Sequence, residues 1–210
     1  MRPRSLLPLA AVVMFAVAGP VCGQSLPSDL ELVRSLRAGG NVIVVRHGAT
    51  DPDMADTDPL NHDNIAKQRQ LSAKGEAAAV ALGEAFKSIG IPVGQVYTSR
   101  FNRAYQTAKL AGFEPIEKSV DLTEGGLVVS PNENNRRAQA LRKLAATPPP
   151  AASNVVIVTH KPNILDAFGK DWFEVKEGEA TIFKPEGGGY QVVARLQMAD
   201  WSRLAKAAKN

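Results

Sequence analysis

The chain has 210 residues with one cysteine and three histidines, and its 25 basic residues slightly outnumber its 21 acidic residues. This length fits a single globular domain, and a hydrophobic content of 44% excludes a disordered chain. A single cysteine excludes both a disulfide framework and a cysteine-rich zinc site. The sequence has no run of basic residues interleaved with aromatics, so we expect no nucleic-acid partner.

The N-terminal segment has the pattern of a secretory signal. Arg2 and Arg4 precede an apolar run over residues 6–18, and small residues follow it. The run is shorter than the roughly 20 apolar residues that a membrane helix needs. We therefore predict a cleaved signal peptide over residues 1–23 and one domain over residues 24–210, periplasmic or secreted and without stable membrane insertion. Cleavage removes two arginines and no acidic residue, so the net charge falls from +4 to +2.

Apolar periodicity and capping residues predict the remaining elements. In chain order these are a helix over 28–37, a strand over 41–45, a long loop over 49–70, a helix over 72–89, a strand over 93–97, a helix capped by Thr98 and Ser99 and ending near 111, a strand over 116–122, a helix from a Ser130–Glu133 capping box to 146, a strand over 154–159, a helix over 163–168, short strands within 173–196 and a helix over 201–209. The alternation predicts an α/β fold, a three-layer sandwich with a mostly parallel central sheet and helices on both faces.

Two of the three histidines directly follow the most apolar strands. His47 comes after the strand over 41–45, and His160 comes after the strand over 154–159. Ligands of such sheets bind beyond the carboxyl ends of the strands. Arg46 offers a planar set of donors suited to phosphate oxygens, and a neutral imidazole is a competent nucleophile. Together they predict a phosphoryl-transfer pocket, although either histidine taken alone is better explained as structural.

Three segments resemble the histidine phosphatase (phosphoglycerate mutase-like) superfamily. Residues 44–50 contain the Arg-His-Gly signature, residues 98–108 resemble the family's Ser-x-x-x-Arg-Ala-x-Gln-Thr-Ala segment, and residues 156–160 resemble the strand that carries its second histidine. Their order and strand–loop–helix settings also agree, from residue 41 to about residue 168. The resemblance implies a phosphoglycerate mutase-like fold.

The resemblance also implies a role for each matching residue. His47 attacks the phosphoryl group and becomes a phosphohistidine, while its other nitrogen donates to a backbone carbonyl. Arg46, Arg103 and His160 surround the phosphoryl oxygens and neutralise their charge. Because these cations are side chains, we expect no metal and no other cofactor. We expect His160 to work best when protonated, which favours mildly acidic pH.

The proton donor for the leaving oxygen stays open at this point. Glu124 matches a Leu-x-Glu setting in which the family commonly carries a glutamate, and Asp51 and Asp53 are the alternatives. Thr50 is a candidate phosphate ligand because the family often has Ser or Thr there. A hydroxyl that stabilises a turn is an equally good interpretation of this residue.

Several further polar residues are weaker candidates. Arg100 lies one helical turn before Arg103, and His62, Gln68 and Arg69 lie in the long loop, where they could shape substrate choice. For each of them a solvated side chain is the better interpretation.

These observations predict an exported phosphomonoester phosphatase, a metal-independent hydrolase that acts on a small phosphorylated substrate. A catalytically silent phospho-ligand binding protein of the same fold and a phosphomutase are the alternatives. Only 51 residues separate Ala108 from His160, which is too few for the large insertion that the mutases carry. The sequence leaves the substrate and the oligomeric state open.

Overall fold

The computed structural model describes residues 27–209. The predicted signal peptide lies outside the described residues, so both it and the domain boundary stay predictions. Within residues 27–209, no helix has the length and apolar character needed to cross a membrane.

Twelve regular elements follow one another in the described chain. They are α1 (Asp29–Ala38), β1 (Val42–Arg46), α2 (Ala73–Ile89), β2 (Val93–Ser99), α3 (Asn102–Leu110), β3 (Ile116–Ser119), α4 (Pro131–Ala146), β4 (Asn154–Thr159), α5 (Lys161–Phe168), β5 (Ala180–Glu186), β6 (Gly189–Leu196) and α6 (Met198–Ala207), with short 3₁₀ turns at Ile65–Lys67, Val120–Leu122 and Lys170–Trp172. The six strands form one sheet in the order β3-β2-β4-β1-β5-β6.

The sheet is mostly parallel, as predicted. Strands β3, β2, β4 and β1 are parallel to one another, whereas β5 is antiparallel to β1 and β6 is antiparallel to β5. Helices cover both faces and create two hydrophobic cores. One core lies under α1, α2, α3 and α6, and the other lies under α4 and α5. The three-layer α/β fold is therefore confirmed.

Two predicted helix starts are wrong for identifiable reasons. Ser99 does not cap a helix, because it still pairs with Ser119 in the sheet and α3 begins only after Phe101. The last helix begins at Met198 instead of Trp201, because Gln197 and Asp200 form a capping box.

The strand predicted over 116–122 and the capping box predicted at Ser130 also differ from the structure. The strand ends at Ser119, where a 3₁₀ turn takes over. Ser130 accepts a hydrogen bond from the Glu133 amide, but the Glu133 carboxylate binds Arg136 and Arg137 instead of returning to the cap. The box is therefore only half formed.

The strand order brings His47 and His160 close together. β1 and β4 are neighbouring parallel strands, and Arg46 lies opposite Thr159 in their register. His47 follows β1 and His160 follows β4, so both residues lie at the same carboxyl edge of the sheet. This edge is where ligands of open α/β sheets bind.

Candidate active site

His47 is held in one orientation just beyond β1. Its backbone amide donates to the Thr159 carbonyl, and its Nδ1 lies 2.8 Å from the Gly48 carbonyl oxygen. Because a carbonyl only accepts hydrogen bonds, we infer that Nδ1 carries the proton. The lone pair of Nε2 is then free for nucleophilic attack, as the sequence predicted.

Gly48 allows a close approach between two backbone segments of the protein. A Cβ atom at this position would lie 3.0 Å from the Gly75 carbonyl oxygen at the start of α2, closer than ordinary van der Waals contact. The Gly48 amide donates to Thr107 Oγ1 on α3. Gly48 thus lets the turn after His47 pack tightly between α2 and α3.

His160 is fully buried and lies beside His47. The two ring centroids are 5.0 Å apart in an edge-to-face arrangement. The Nε2 atom of His160 lies 2.7 Å from Ser99 Oγ. Its Nδ1 atom has no hydrogen-bond partner among residues 27–209 and lies 3.8 Å from Glu124 Oε2. One nitrogen is therefore fixed by the protein, and the other faces the glutamate.

A chain of hydroxyl groups determines which nitrogen of His160 carries the proton. Thr123 Oγ1 donates to the Ser119 carbonyl, and Ser99 Oγ donates to Thr123 Oγ1. Each hydroxyl has one proton, so Ser99 accepts from Nε2–H of His160. We infer that neutral His160 presents an unprotonated Nδ1 to the pocket.

Burial and positive charge keep both imidazoles neutral. Burial first, and then the charge of Arg103, lowers the pKa of His47 to about 3. The same two causes lower the pKa of His160 well below its ordinary value. A neutral His47 suits nucleophilic attack. Burial and the nearby arginines thus disfavour a protonated His160 in the ligand-free pocket. The expectation that His160 works best when protonated stays a prediction.

Arg103 lies at the centre of the polar contacts. Its side chain is fully buried, its Nη1 lies 2.9 Å from Asp56 Oδ1, and its Nη2 contacts Glu124 Oε1. Its Nε atom is buried and has no hydrogen-bond partner in the described part of the chain. Its guanidinium carbon also lies 4.5 Å from the centre of the Phe101 ring. Two carboxylates thus orient this arginine and leave several of its five N–H donors for a ligand.

Arg46 and Thr50 lie on the side of the pocket near β5. Arg46 Nη1 donates to the Val175 carbonyl at 2.8 Å, and its Nη2 lies 3.5 Å from Glu177 Oε1. The Thr50 hydroxyl is also 3.5 Å from that oxygen. Glu177 was not a candidate in the sequence, because nothing marks a glutamate 131 residues away as a neighbour of Arg46.

The three candidate proton donors occupy different places. Glu124 contacts Arg103 and faces Nδ1 of His160. The Asp51 carboxylate accepts from the Asp53 amide within a turn of the long loop, and Asp53 is exposed. The geometry therefore favours Glu124, although its role stays a prediction.

The structure adds two loop residues that the sequence did not place in the pocket. Asp56 Oδ1 accepts from Arg103 Nη1 and also from the Arg69 amide, both at 2.9 Å. Gln68 is fully buried, so the solvated interpretation of this residue is wrong. Its Oε1 accepts from the Asn102 amide at the start of α3. A buried polar side chain inside a polar loop gives no periodic signal by which the sequence could reveal it.

Two other weak candidates lie away from the pocket centre. Arg100 is substantially exposed and pairs with exposed Asp63, which agrees with the solvated interpretation. His62 packs edge-to-face against Phe101, with ring centroids 5.4 Å apart. In the described part of the chain, no group of three or more His, Cys, Asp or Glu residues is arranged to hold a metal ion. Metal independence stays a prediction.

Part of the sequence matches a known protein family. Residues 42–129 match the family described as the histidine phosphatase superfamily (branch 1). Among curated proteins, none matches the sequence.

Solved structures share the fold at low sequence identity. The protein histidine phosphatase SixA, complexed with tungstate, is 20% identical with a TM-score of 0.53, covering 76% of this chain and 98% of its own. A mycobacterial glucosyl-3-phosphoglycerate phosphatase complexed with VO₃ is 17% identical with a TM-score of 0.53, covering 73% and 97%. The product of an open reading frame of Mycobacterium tuberculosis is 17% identical with a TM-score of 0.51, covering 74% and 96%.

Proposed function

This chain belongs to the histidine phosphatase superfamily, and from that premise we propose that it hydrolyses phosphomonoesters through a phosphohistidine on His47. The observation that carries the proposal is the convergence of two buried imidazoles with Arg103 at one sheet edge. The Gly48 carbonyl binds one nitrogen of His47 and leaves the other free. This is the arrangement that an in-line attack on phosphorus needs.

In the first step, the Nε2 lone pair of His47 forms a bond to phosphorus while the ester P–O bond breaks. Arg46 and Arg103 donate to the phosphoryl oxygens and stabilise their negative charge, and His160 joins them when the bound dianion favours a proton on its Nδ1. The departing oxygen takes a proton from Glu124, which lies next to Arg103 and His160. The products of this step are the alcohol and the phosphohistidine.

In the second step, water attacks the phosphohistidine. Glu124 accepts a proton from the water, the N–P bond breaks, and inorganic phosphate leaves with His47 neutral again. The same carboxylate thus acts first as an acid and then as a base. A dianion bound to Arg103 also competes with Glu124 for that guanidinium, so substrate binding frees the carboxylate to exchange protons.

A single experiment tests the nucleophile. The purified protein is mixed with p-nitrophenyl phosphate, quenched in alkali and analysed by mass spectrometry for a phosphate on His47. We expect turnover together with labelled His47. The His47→Ala variant should lose at least about 10³-fold in kcat and carry no label.

His62→Ala is the matched control, because it removes the loop histidine that lies against Phe101. It should keep turnover and the label. A fully active His47→Ala variant, or a label on another residue, contradicts the proposal. A wild-type protein that binds phosphate tightly but turns over no phosphoester instead supports the silent binding protein.

The proposal also includes a test of the substrate class, which uses a panel of phosphorylated compounds. The fold neighbours include a protein histidine phosphatase and a glucosyl-3-phosphoglycerate phosphatase. We therefore propose a panel that pairs a phosphohistidine peptide with small sugar and carboxylate phosphoesters. The highest kcat/KM identifies the class.

We also propose that the protein is exported after cleavage near residue 23. The basic start and short apolar run of the N-terminal segment support this. Mass spectrometry of the mature N-terminus, with fractionation of the cell, tests it. An uncleaved chain retained in the cytoplasm contradicts export without affecting the proposed chemistry.

A further inference from the structure

The long loop brings a third arginine to the pocket, and it is anchored through its backbone. The Arg69 amide and Arg103 Nη1 bind the same oxygen, Asp56 Oδ1, each at 2.9 Å. The backbone of Arg69 therefore lies next to the guanidinium of Arg103.

The residues on both sides of Arg69 fix this segment. Gln68 is fully buried and accepts from the Asn102 amide, while Gln70 accepts from the Asn102 side chain. The Gln70 carbonyl accepts from the Asp51 amide, and Leu71 forms a bridge with Thr50. The segment is thus tied both to α3 and to the turn that follows His47.

The guanidinium of Arg69 differs from those of the other two pocket arginines. Arg46 binds a carbonyl and faces a glutamate, and Arg103 binds two carboxylates. For Arg69, within residues 27–209, only the backbone amide has a hydrogen-bond partner. Its Nε is buried without one, as are the Nε atoms of Arg46 and Arg103. A buried donor without a partner is costly, and its natural partner is an anion from solution.

The charge of Arg69 also acts on the reacting groups. It contributes to lowering the pKa of His47, of His160 and of Arg46. This agrees with the position of the Arg69 backbone beside Arg103.

We propose that Arg69 is a third catalytic arginine, which binds the oxygens of the transferred phosphoryl group beside Arg46 and Arg103. This rests on the proposed function and deepens it. A planar guanidinium gives paired N–H donors that match phosphoryl oxygens.

The test compares Arg69→Gln, Arg69→Lys and Lys67→Gln in the full protein. Lys67 is exposed on the same loop, so its variant removes the same charge without touching the pocket. With p-nitrophenyl phosphate we expect Arg69→Gln to lower kcat/KM by about 10²–10³-fold. Arg69→Lys should recover part of the loss, because it keeps the charge but not the paired donors. Lys67→Gln should stay within about two-fold.

Tungstate affinity, measured by calorimetry, separates this inference from the proposed function because it needs no turnover. Arg69→Gln should weaken tungstate binding by at least about ten-fold. If the wild type binds tungstate but hydrolyses nothing, the proposed function fails while Arg69 is still tested. If Arg69→Gln fails to fold by circular dichroism, Arg69→Lys carries the test, with an expected loss of about ten-fold in kcat/KM.

Two results overturn the inference. One is an Arg69→Gln protein that is folded and within about three-fold of wild type in both kcat/KM and tungstate affinity. The other is a loss confined to phosphoesters that carry a carboxylate, with p-nitrophenyl phosphate unaffected. That second result would assign Arg69 to a part of the substrate away from phosphorus.

Discussion

The pocket is built from two regions that are held in different ways. At the sheet edge, His47 is bound by a main-chain hydrogen bond to β4, and His160 is bound by Ser99 at the end of β2. In the long loop, Asp56 and Arg69 are placed mainly by side-chain contacts that reach Arg103 and the start of α3. The first region depends on the sheet, and the second depends on a few polar contacts.

This difference separates two tasks. The sheet edge holds the nucleophile, the second histidine and Glu124 within a few ångströms of one another. The loop adds charge around the same anion and closes one side of the pocket. Changes at the sheet edge should therefore lower kcat, whereas changes in the loop should weaken the binding of the phosphoryl group in both the ground state and the transition state and so lower kcat/KM.

Among the variants that test this difference between the two regions, Glu124→Gln should show the largest loss of kcat. The amide keeps the size and the contact with Arg103 but has no proton to give to the leaving oxygen, so kcat should fall by about 10²–10⁴-fold. The loss should be smaller for p-nitrophenyl phosphate than for an alkyl phosphate, because nitrophenolate needs little protonation. Steady-state kinetics on both substrates measures this.

Asp51→Asn and Asp53→Asn are the controls for this prediction. Both remove a carboxylate from the loop without touching Arg103 or His160, and both should keep kcat within about three-fold of wild type. A large loss in either variant, together with an active Glu124→Gln protein, would move the proton donor from the sheet edge to the loop.

The sheet-edge region was largely predictable from the sequence. The apolar runs of β1 and β4 identify buried strands, and residues that follow parallel strands share one edge. That reasoning places His47 and His160 together without any knowledge of side chains. Arg103 and Glu124 were reached through the resemblance and not through periodicity.

The loop region was not predictable, for a physical reason. Arg69 reaches the pocket because Asp56 binds its amide and because Gln68 and Gln70 bind Asn102, more than 30 residues away. Such contacts follow from the tertiary structure and leave no local pattern. The wrong start of α3 has the same origin, since the pairing of Ser99 with β3 overrides its preference for a helix cap.

A second prediction concerns the stability of the sheet edge in acid. In the folded protein the pKa of His47 is lowered to about 3. In the unfolded chain the same imidazole takes up its proton near pH 6.5. The unfolded state therefore binds more protons below pH 6.5, and the free energy of unfolding falls as the pH falls. Between pH 7.5 and pH 5, His47 should account for about 1–2 kcal/mol, and His160 acts in the same direction.

Urea unfolding at several pH values measures this slope. His47→Ala should flatten it, because the variant has no imidazole to protonate at that position. His62→Ala removes a less buried histidine and should change the slope less. An unchanged slope in His47→Ala would mean that His47 takes up its proton at the same pH in the folded and unfolded states, contrary to a lowered pKa of His47 in the folded protein.

The smallest effect is expected in the loop, at Asp56. Asp56→Asn keeps an oxygen that accepts from the Arg69 amide and from Arg103 Nη1, so kcat/KM should stay within about three-fold of wild type. Asp56→Ala removes both hydrogen bonds and releases the loop, and it should raise KM by about ten-fold with kcat nearly unchanged. Measuring kcat and KM for both Asp56 variants separates the role of the Asp56 oxygen as a hydrogen-bond acceptor from the role of its charge. If Asp56→Ala instead lowered kcat as much as Glu124→Gln, the loop would act on more than the binding of the phosphoryl group, and the division between the two regions would fail.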